Sequence, residues 1–308
     1  KRAAFVYFTF DTVGALLFVP FTMICPQYIT WISGLTDKGE VQVAIYHIIF
    51  KVVTALILLP FTKYIVKLSE FVIRDKEHES EMRFIYIDKK LSTSSTAAVA
   101  QAGKEVERMA KIVRTNFVMA CEGFISKDTS KERFIRDNEE LVNWLNHNIT
   151  DYMVTVTSQQ LDGESSEYLG KLFHVINDIE RIGDHSLNIL ERTELSIQDN
   201  LEYTKSGVEE FQNIYEKDLE LFDRSIGAFV NNTLPDSEEH DLHFLEDSID
   251  KLTLTAQDNH VERLRMKKCH TESGMVLVKL LQDLERVGDH SYNVAWAARK
   301  DKDLIRQI

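Results

Sequence analysis

Cysteine is scarce in this 308-residue chain, with only Cys25, Cys121 and Cys269. An odd, irregularly spaced set supplies neither a disulfide framework nor a Cys-x-x-Cys metal knuckle, and it fits a reducing compartment for the polar part of the chain. Proline is scarcer where it matters. Of four, Pro20, Pro26 and Pro60 lie in the first 60 residues, and only Pro235 interrupts the rest. A long stretch with one proline and few glycines reads as helix. No glycine-rich phosphate loop, nucleophile elbow or His-Glu-x-x-His is present. The chain therefore offers no catalytic constellation and is expected not to be an enzyme. Basic charge is also short, 36 Lys and Arg against 49 Asp and Glu, a net of −13. That balance disfavours nucleic acid as a partner and suits cations, or simply solubility.

The charge is unevenly spread. Residues 1–75 carry seven basic and five acidic side chains, a net of +2, so the remainder carries −15. The front is apolar. Residues 3–24 and 41–62 are hydrophobic runs long enough to cross a bilayer core. The first is too long for a secretory signal and is followed by no small-residue cleavage site. The two runs are related at an offset of 40: seven of thirteen positions match between residues 10–22 and 50–62. Lys1 and Arg2 precede the first run, and Lys63, Lys67 and Arg74 follow the second. The positive-inside rule then places both ends in the cytoplasm. Asp11 and Lys51 each fall near the middle of a run, where an unpaired charge costs several kcal/mol, so an intramembrane ion pair between them is expected.

The chain turns polar after Glu70. A juxtamembrane linker is expected over 69–94, between a membrane segment over 1–68 and a helical body over 95–308. From about Ser95, apolar residues recur at spacings of three and four. The pattern predicts three helices over about 95–195 and three more over about 196–300. The second set begins with a long helix from about Ile197 to Phe229, followed by one from about Phe244 to Leu264. The third helix of each set carries the same sentence. Asp178, Glu180, Arg181, Gly183, Asp184, His185, Ser186 and Asn188 return 105 residues later as Asp283, Glu285, Arg286, Gly288, Asp289, His290, Ser291 and Asn293. Val142, Asn143 and Leu145 correspond to Ile249, Asp250 and Leu252 at an offset of 107, which implies a shorter loop between the second and third helices of the second set. The fold class is all-α, a tandem of two three-helix bundles behind two transmembrane helices.

A helix that only fills a core tolerates many sequences, so identity at polar positions suggests that both copies hold the same thing. Glu180 with Asp184, and Glu285 with Asp289, are i and i+4 carboxylates on one face, which repel unless something cationic sits between them. Oxygen-rich ligands of this kind suit hard or borderline cations such as magnesium, manganese or iron. Asn177, Asn143, Asp250, His185 and His290 are further candidate ligands. Arg181 and Arg286 are expected to meet acids of a neighbouring helix. Gly183 and Gly288, costly inside a helix, point to close helix approach. The bland alternative is a salt-bridged helix face. A di-iron bundle with Glu-x-x-His does not fit, because His follows Glu by five residues here.

The doubled Glu-Arg-x-Gly-Asp-His-Ser-x-Asn motif resembles the motif helices of the PhoU phosphate-signalling regulators. That resemblance implies two three-helix bundles whose Glu/Asp-x-x-x-Asp motifs bind multinuclear metal clusters, often iron or zinc, with Glu180, Asp184, Glu285 and Asp289 on the motif positions. With the apolar runs in front, the whole resembles the C-terminal part of a bacterial type II sodium/phosphate cotransporter with a cytoplasmic PhoU-like domain. It implies phosphate and sodium as partners through an upstream part of the transporter, and the lipid bilayer, with a homo-oligomer allowed. The location implied is the inner membrane, multi-pass, with the body cytoplasmic. The repeated Gln-Ser-Ser signatures of that family's transport core are absent, and Asp11 and Lys51 stand where the family has Asn after Phe. The chain also begins with Lys rather than Met, so an N-terminally truncated transporter is one expectation. A membrane-tethered signalling adaptor that transports nothing is the other, and an iron-sequestering module is a weaker third.

Overall fold

A computed structural model describes residues 2–25, 27–36, 38–59, 62, 82–88, 94–158 and 160–299, and these fall into two units, 1–79 and 80–308. In the first unit, α1 (Arg2–Ile24) and α3 (Gly39–Leu58) run antiparallel, joined through a short α2 (Gln27–Ser33). Phe18 sits against Tyr46 and Phe50, and Gly14, one turn earlier, sits against Phe50 and Thr54. A Cβ at Gly14 would lie 2.8 Å from Thr54 Cγ2, so only glycine allows this approach. Lys51 Nζ contacts the Asp11 carboxylate. Among the described residues, α3 is the one helix long and apolar enough to cross a membrane by itself. The first apolar run meets that test only as Thr9–Ile24 joined to α2 through a 91° bend, so its passage as a second straight span is not supported. The break falls at Cys25, the residue before a proline, where helix is disfavoured.

Among the described residues the second unit holds six helices: α4 (Ser95–Ser126), α5 (Glu132–Thr157), α6 (Gly163–Gln198), α7 (Lys205–Val230), α8 (Asp236–Arg265) and α9 (Thr271–Ala297). No strand occurs among the described residues. The first three pack together, the last three pack together, and the halves join through α6 on α9 and α4 on α7. The apolar stripes read from the periodicity become the core: Val106, Val113, Phe117, Leu145 and Ile149 in one half, and Phe211, Ile214, Phe222, Ile249 and Leu284 in the other, are all essentially inaccessible. Aromatic pairs stitch the halves: Phe124 meets Phe211 at 4.5 Å and Phe117 meets Tyr215 at 5.6 Å between ring centroids.

Three expectations are corrected. The long helix from Ile197 does not form. Instead α6 continues to Gln198 and stops where Asn200 adopts φ 50° and Leu201 N–H donates back to Ser196 C=O at 2.8 Å. The next helix restarts at Lys205, capped by Thr204, whose hydroxyl accepts from Gly207 N–H. The eighth helix starts at Asp236, eight residues before Phe244, because a polar first turn with Asp236, Glu238 and Glu239 has no apolar period yet suits the positive helix N-terminus. Finally, the connections α5–α6 and α8–α9 are both five residues. The offset change from 107 to 105 is absorbed in helix length, chiefly by α6 starting farther ahead of its motif than α9 does.

Part of the expected linker belongs to this body. Glu105, fully buried on α4, accepts from the backbone N–H groups of Ile85 and Tyr86 and pairs with Arg108, whose guanidinium also donates to Arg83 C=O. Phe84 packs on Trp144 and Tyr152. Residues 69–81 and 89–93 of that linker lie outside the described residues.

Candidate metal centres

Each three-helix half gathers carboxylates between its second and third helices. In the first half, Glu139 on α5 points to Glu180 and Asp184 on α6, with Asn143 one turn further along α5. Glu139 is 4% exposed, and neither of its carboxylate oxygens has a hydrogen-bond partner of full geometry. Burial, then the charges of Asp184 and Glu180, push its pKa up to about 7, against the pull of the nearby Asn143 amide. Glu180 is raised too, by burial and then Asp184, with Arg181 and His290 opposing.

The second half repeats the arrangement with more carboxylates. The oxygens of Glu246, Asp250 and Asp289 lie within 4.8 Å of one another. Beneath them Asp218 on α7 is fully buried, and both its oxygens lack a partner. Burial, then Asp289 and Asp250, push its pKa well above the usual carboxylate range. Glu246, Asp250 and Glu285 are shifted upward as well, burial being the largest cause for each. Unpartnered buried carboxylates cost several kcal/mol unless a proton or a cation neutralises them. The donors of both carboxylate clusters are oxygen, which fits a hard cation better than a soft one, and exposed His243 Nδ1 lies 3.5 Å from Glu246 at the edge of the second.

The two glycines now have a physical role. A Cβ at Gly183 would stand 3.0 Å from Glu139 Oε2, and one at Gly288 would stand 3.1 Å from Asp218 Oδ1. Each glycine therefore makes room for the buried carboxylate of its half. At Gly227 an added Cβ meets nothing within 4 Å. Gly227→Ala is expected to stabilise by roughly 0.5–1 kcal/mol through helix propensity. Gly183→Leu and Gly288→Leu should each lower stability by about 1–3 kcal/mol through overpacking. Thermal unfolding of the three variants checks this, and equal responses would remove the crowding argument.

The structure thus brings together Glu180, Asp184 and Asn143 in one half and Glu285, Asp289 and Asp250 in the other. It places three expected residues elsewhere. Asn177 is exposed and its amide donates to Phe173 C=O. His185 and His290 face the opposite half: His185 Nδ1 meets Asp283 at 3.0 Å and His290 Nδ1 meets Asp178 at 2.9 Å, with the two rings 5.9 Å apart. Asn188 and Asn293 approach the same two aspartates at 3.4 and 3.3 Å, and Arg192 Nη1 pairs with Asp283 at 2.5 Å. Half of the doubled motif therefore builds a two-fold clasp between α6 and α9, and the other half lines the carboxylate clusters. Arg181 and Arg286 pair with Asp184 at 3.5 Å and Asp289 at 2.9 Å on their own helices, rather than with a neighbour, because i and i+3 side chains share an exposed face. Sequence reasoning missed Glu139, Glu246 and Asp218. The first two had a signal, since they correspond at the same offset of 107 as Asn143 and Asp250. Asp218 had none, because its counterpart is Val113.

This architecture, two three-helix bundles each with an acidic cluster against its third helix, defines the class. The chain belongs to the PhoU family: the PhoU domain model matches residues 106–193 and 211–298, once per half and more than half of the chain in total. It is 26% identical over 200 residues to the phosphate-specific transport system accessory protein PhoU homolog 1 of Thermotoga maritima, covering 62% of this chain and 81% of that protein. It is 21% identical over 310 residues to YjbB of Escherichia coli K12, a proposed inorganic phosphate export protein, covering 98% of this chain. The chain spans 55% of the length of that relative. The fold matches the crystal structure of PhoU from Pseudomonas aeruginosa with a TM-score of 0.63 at 18% identity, covering 70% of this chain and all of that one. It matches the phosphate transport system regulatory protein PhoU from Streptococcus pneumoniae with a TM-score of 0.59 at 15% identity, covering 67% of this chain and 95% of that one.

Proposed function

We propose that this chain supplies membrane helices and a cytoplasmic, cation-dependent regulatory domain to a sodium-coupled inorganic phosphate transporter of the inner membrane, and that the domain regulates without catalysing a reaction. The observation that carries this reading is the extent of the similarity to YjbB, which runs through the apolar helices as well as the PhoU-type body. Sodium coupling rests on the cotransporter resemblance of the sequence. The Asp11–Lys51 contact supports a membrane setting for α1 and α3, because pairing offsets the cost of each charge in hydrocarbon.

In the body, Glu139, Glu180 and Asp184 would hold one cation site, and Asp218, Glu246, Asp250, Glu285 and Asp289 the other. Iron, zinc, manganese and magnesium are the candidate ions. A bound cation would supply positive charge on an otherwise acidic face. The carboxylates would tie α5 to α6, and α7 and α8 to α9, so occupancy sets how firmly the helices of each half are held. Without a cation, burial favours the protonated forms of Glu139 and Asp218.

The test has two arms. Phosphate flux into vesicles carrying the natural reading frame that contains this chain should depend on a sodium gradient. Flux indifferent to sodium would leave a phosphate transporter of another coupling, and no flux would favour the tethered adaptor, a reading also consistent with the body-only match to the Thermotoga accessory protein. Separately, Asp184→Asn with Asp289→Asn should lower the metal content of the purified chain by elemental analysis while its helical circular dichroism persists. Unchanged metal content would end the metal reading.

A further inference from the structure

The two halves are built on one plan, yet their carboxylate clusters differ at two matched positions. Asp218 stands where the first half has Val113, and Asp250 stands where it has Asn143. The match is geometric as well as numerical. Val113 Cγ2 lies 3.5 Å from the Cβ position of Gly183, and Asp218 Oδ1 lies 3.1 Å from that of Gly288. In the first half, apolar Val113 leaves the pocket beneath the glycine to Glu139, which reaches in from α5. In the second half, Asp218 fills the pocket from α7, and Glu246, the counterpart of Glu139, lies further out with Asp250 and Asp289. The first cluster therefore holds three carboxylates and an amide. The second holds five carboxylates, one of them fully buried with both oxygens unpartnered. Carboxylate count and charge set the affinity of an oxygen-ligand site.

We propose that the two centres are inequivalent, and that the second-half centre, Asp218 with Glu246, Asp250, Glu285 and Asp289, takes hard divalent or trivalent cations first and more tightly, while the first-half centre fills afterwards. The inference rests on the cation reading above. The two counterpart residues, Val113 and Asn143, are the change that weakens the first centre.

The experiment titrates the chelator-stripped full chain with Mn2+, read by calorimetry and by the paramagnetic resonance of free Mn2+. Two classes of site are expected. Asp218→Val with Asp250→Asn, which rebuilds the first-half residues in the second half, should weaken the tighter class by at least the roughly 10- to 100-fold seen on removing outer-shell support, and leave the weaker class in place. Asp184→Asn should abolish the weaker class and spare the tighter. Asp218→Asn, which keeps the shape of the side chain, replaces the valine variant if that one does not fold. Cation-free Asp218→Val should also melt higher than the cation-free parent, since it removes an unpartnered buried carboxylate. A single class of equivalent sites, or a tight class untouched by the Asp218 and Asp250 changes, overturns the inequivalence while the cation reading stands. No Mn2+ bound by the parent chain overturns both.

Discussion

Stripped of cations, the parent chain should lose about 3 kcal/mol of stability relative to Glu139→Gln as pH rises from 4.5 to 7. In the unfolded chain Glu139 ionises near 4.5; folded, it keeps its proton to about 7. Between those values the native state binds more protons than the unfolded state, so stability falls as pH rises. Below 4.5 both states are protonated and the contribution is complete; above 7 the loss is complete. Asp218 acts in the same direction, from a lower starting pH, because burial holds its proton as well. Saturating Mn2+ should reverse the trend. The cation takes the place of the protons, so its stabilisation, about 2.7 kcal/mol at a hundred times Kd, is larger at pH 8 than at pH 5. Thermal melts of the parent and Glu139→Gln across pH, with chelator and with Mn2+, measure this. Parallel curves for the two proteins in chelator would show that Glu139 is not a buried acid of this kind.

Replacing Asp283 by Ala should be among the most damaging single changes in the body, lowering stability by about 2–4 kcal/mol. The Asp283 carboxylate is 6% exposed and receives His185, Asn188 and Arg192 from the other half. Its loss leaves a partly buried His and Arg without their anion in the α6–α9 contact. The symmetry mate is a built-in control. The Asp178 side chain is 18% exposed and, among the described residues, pairs with His290 and Asn293, because Ala297 stands where the first half has Arg192. Asp178→Ala should therefore cost about half as much. Denaturant unfolding of both variants separates the two cases, and equal losses would mean that Arg192 contributes nothing beyond the shared clasp.

The first prediction concerns the acid that faces Glu180 and Asp184, the second the clasp built by the rest of the same motif, and that division was not legible in the sequence. The doubled Asp-x-Glu-Arg-x-Gly-Asp-His marked a shared demand without saying that it was two demands. Glu180 and Asp184 could be paired on one helix face, because spacing along a helix is known before any tertiary contact. His185 looked like a ligand because it follows Asp184, yet a helix turns about 100° per residue and carries it to the opposite half. Its partner is 98 residues away, a distance that no local pattern encodes.

The break at Asn200 and the early start of α8 were missed for a related reason. Helix ends are set by a left-handed residue and by capping groups, which leave the apolar period unchanged. The periodicity of Val106 through Phe124, of Leu141 through Val156, and of their counterparts determined by itself that this chain is helical, that it is duplicated, and which faces form its core. Burial follows the 3.6-residue repeat, and that repeat is a property of the chain alone. Only the tertiary structure decided that Glu139 and Asp218 meet at matching glycines from different helices, because an equivalent point in space can be reached from more than one element. The acid that reaches it is chosen by which neighbour, Val113 or Asp218, already occupies the pocket.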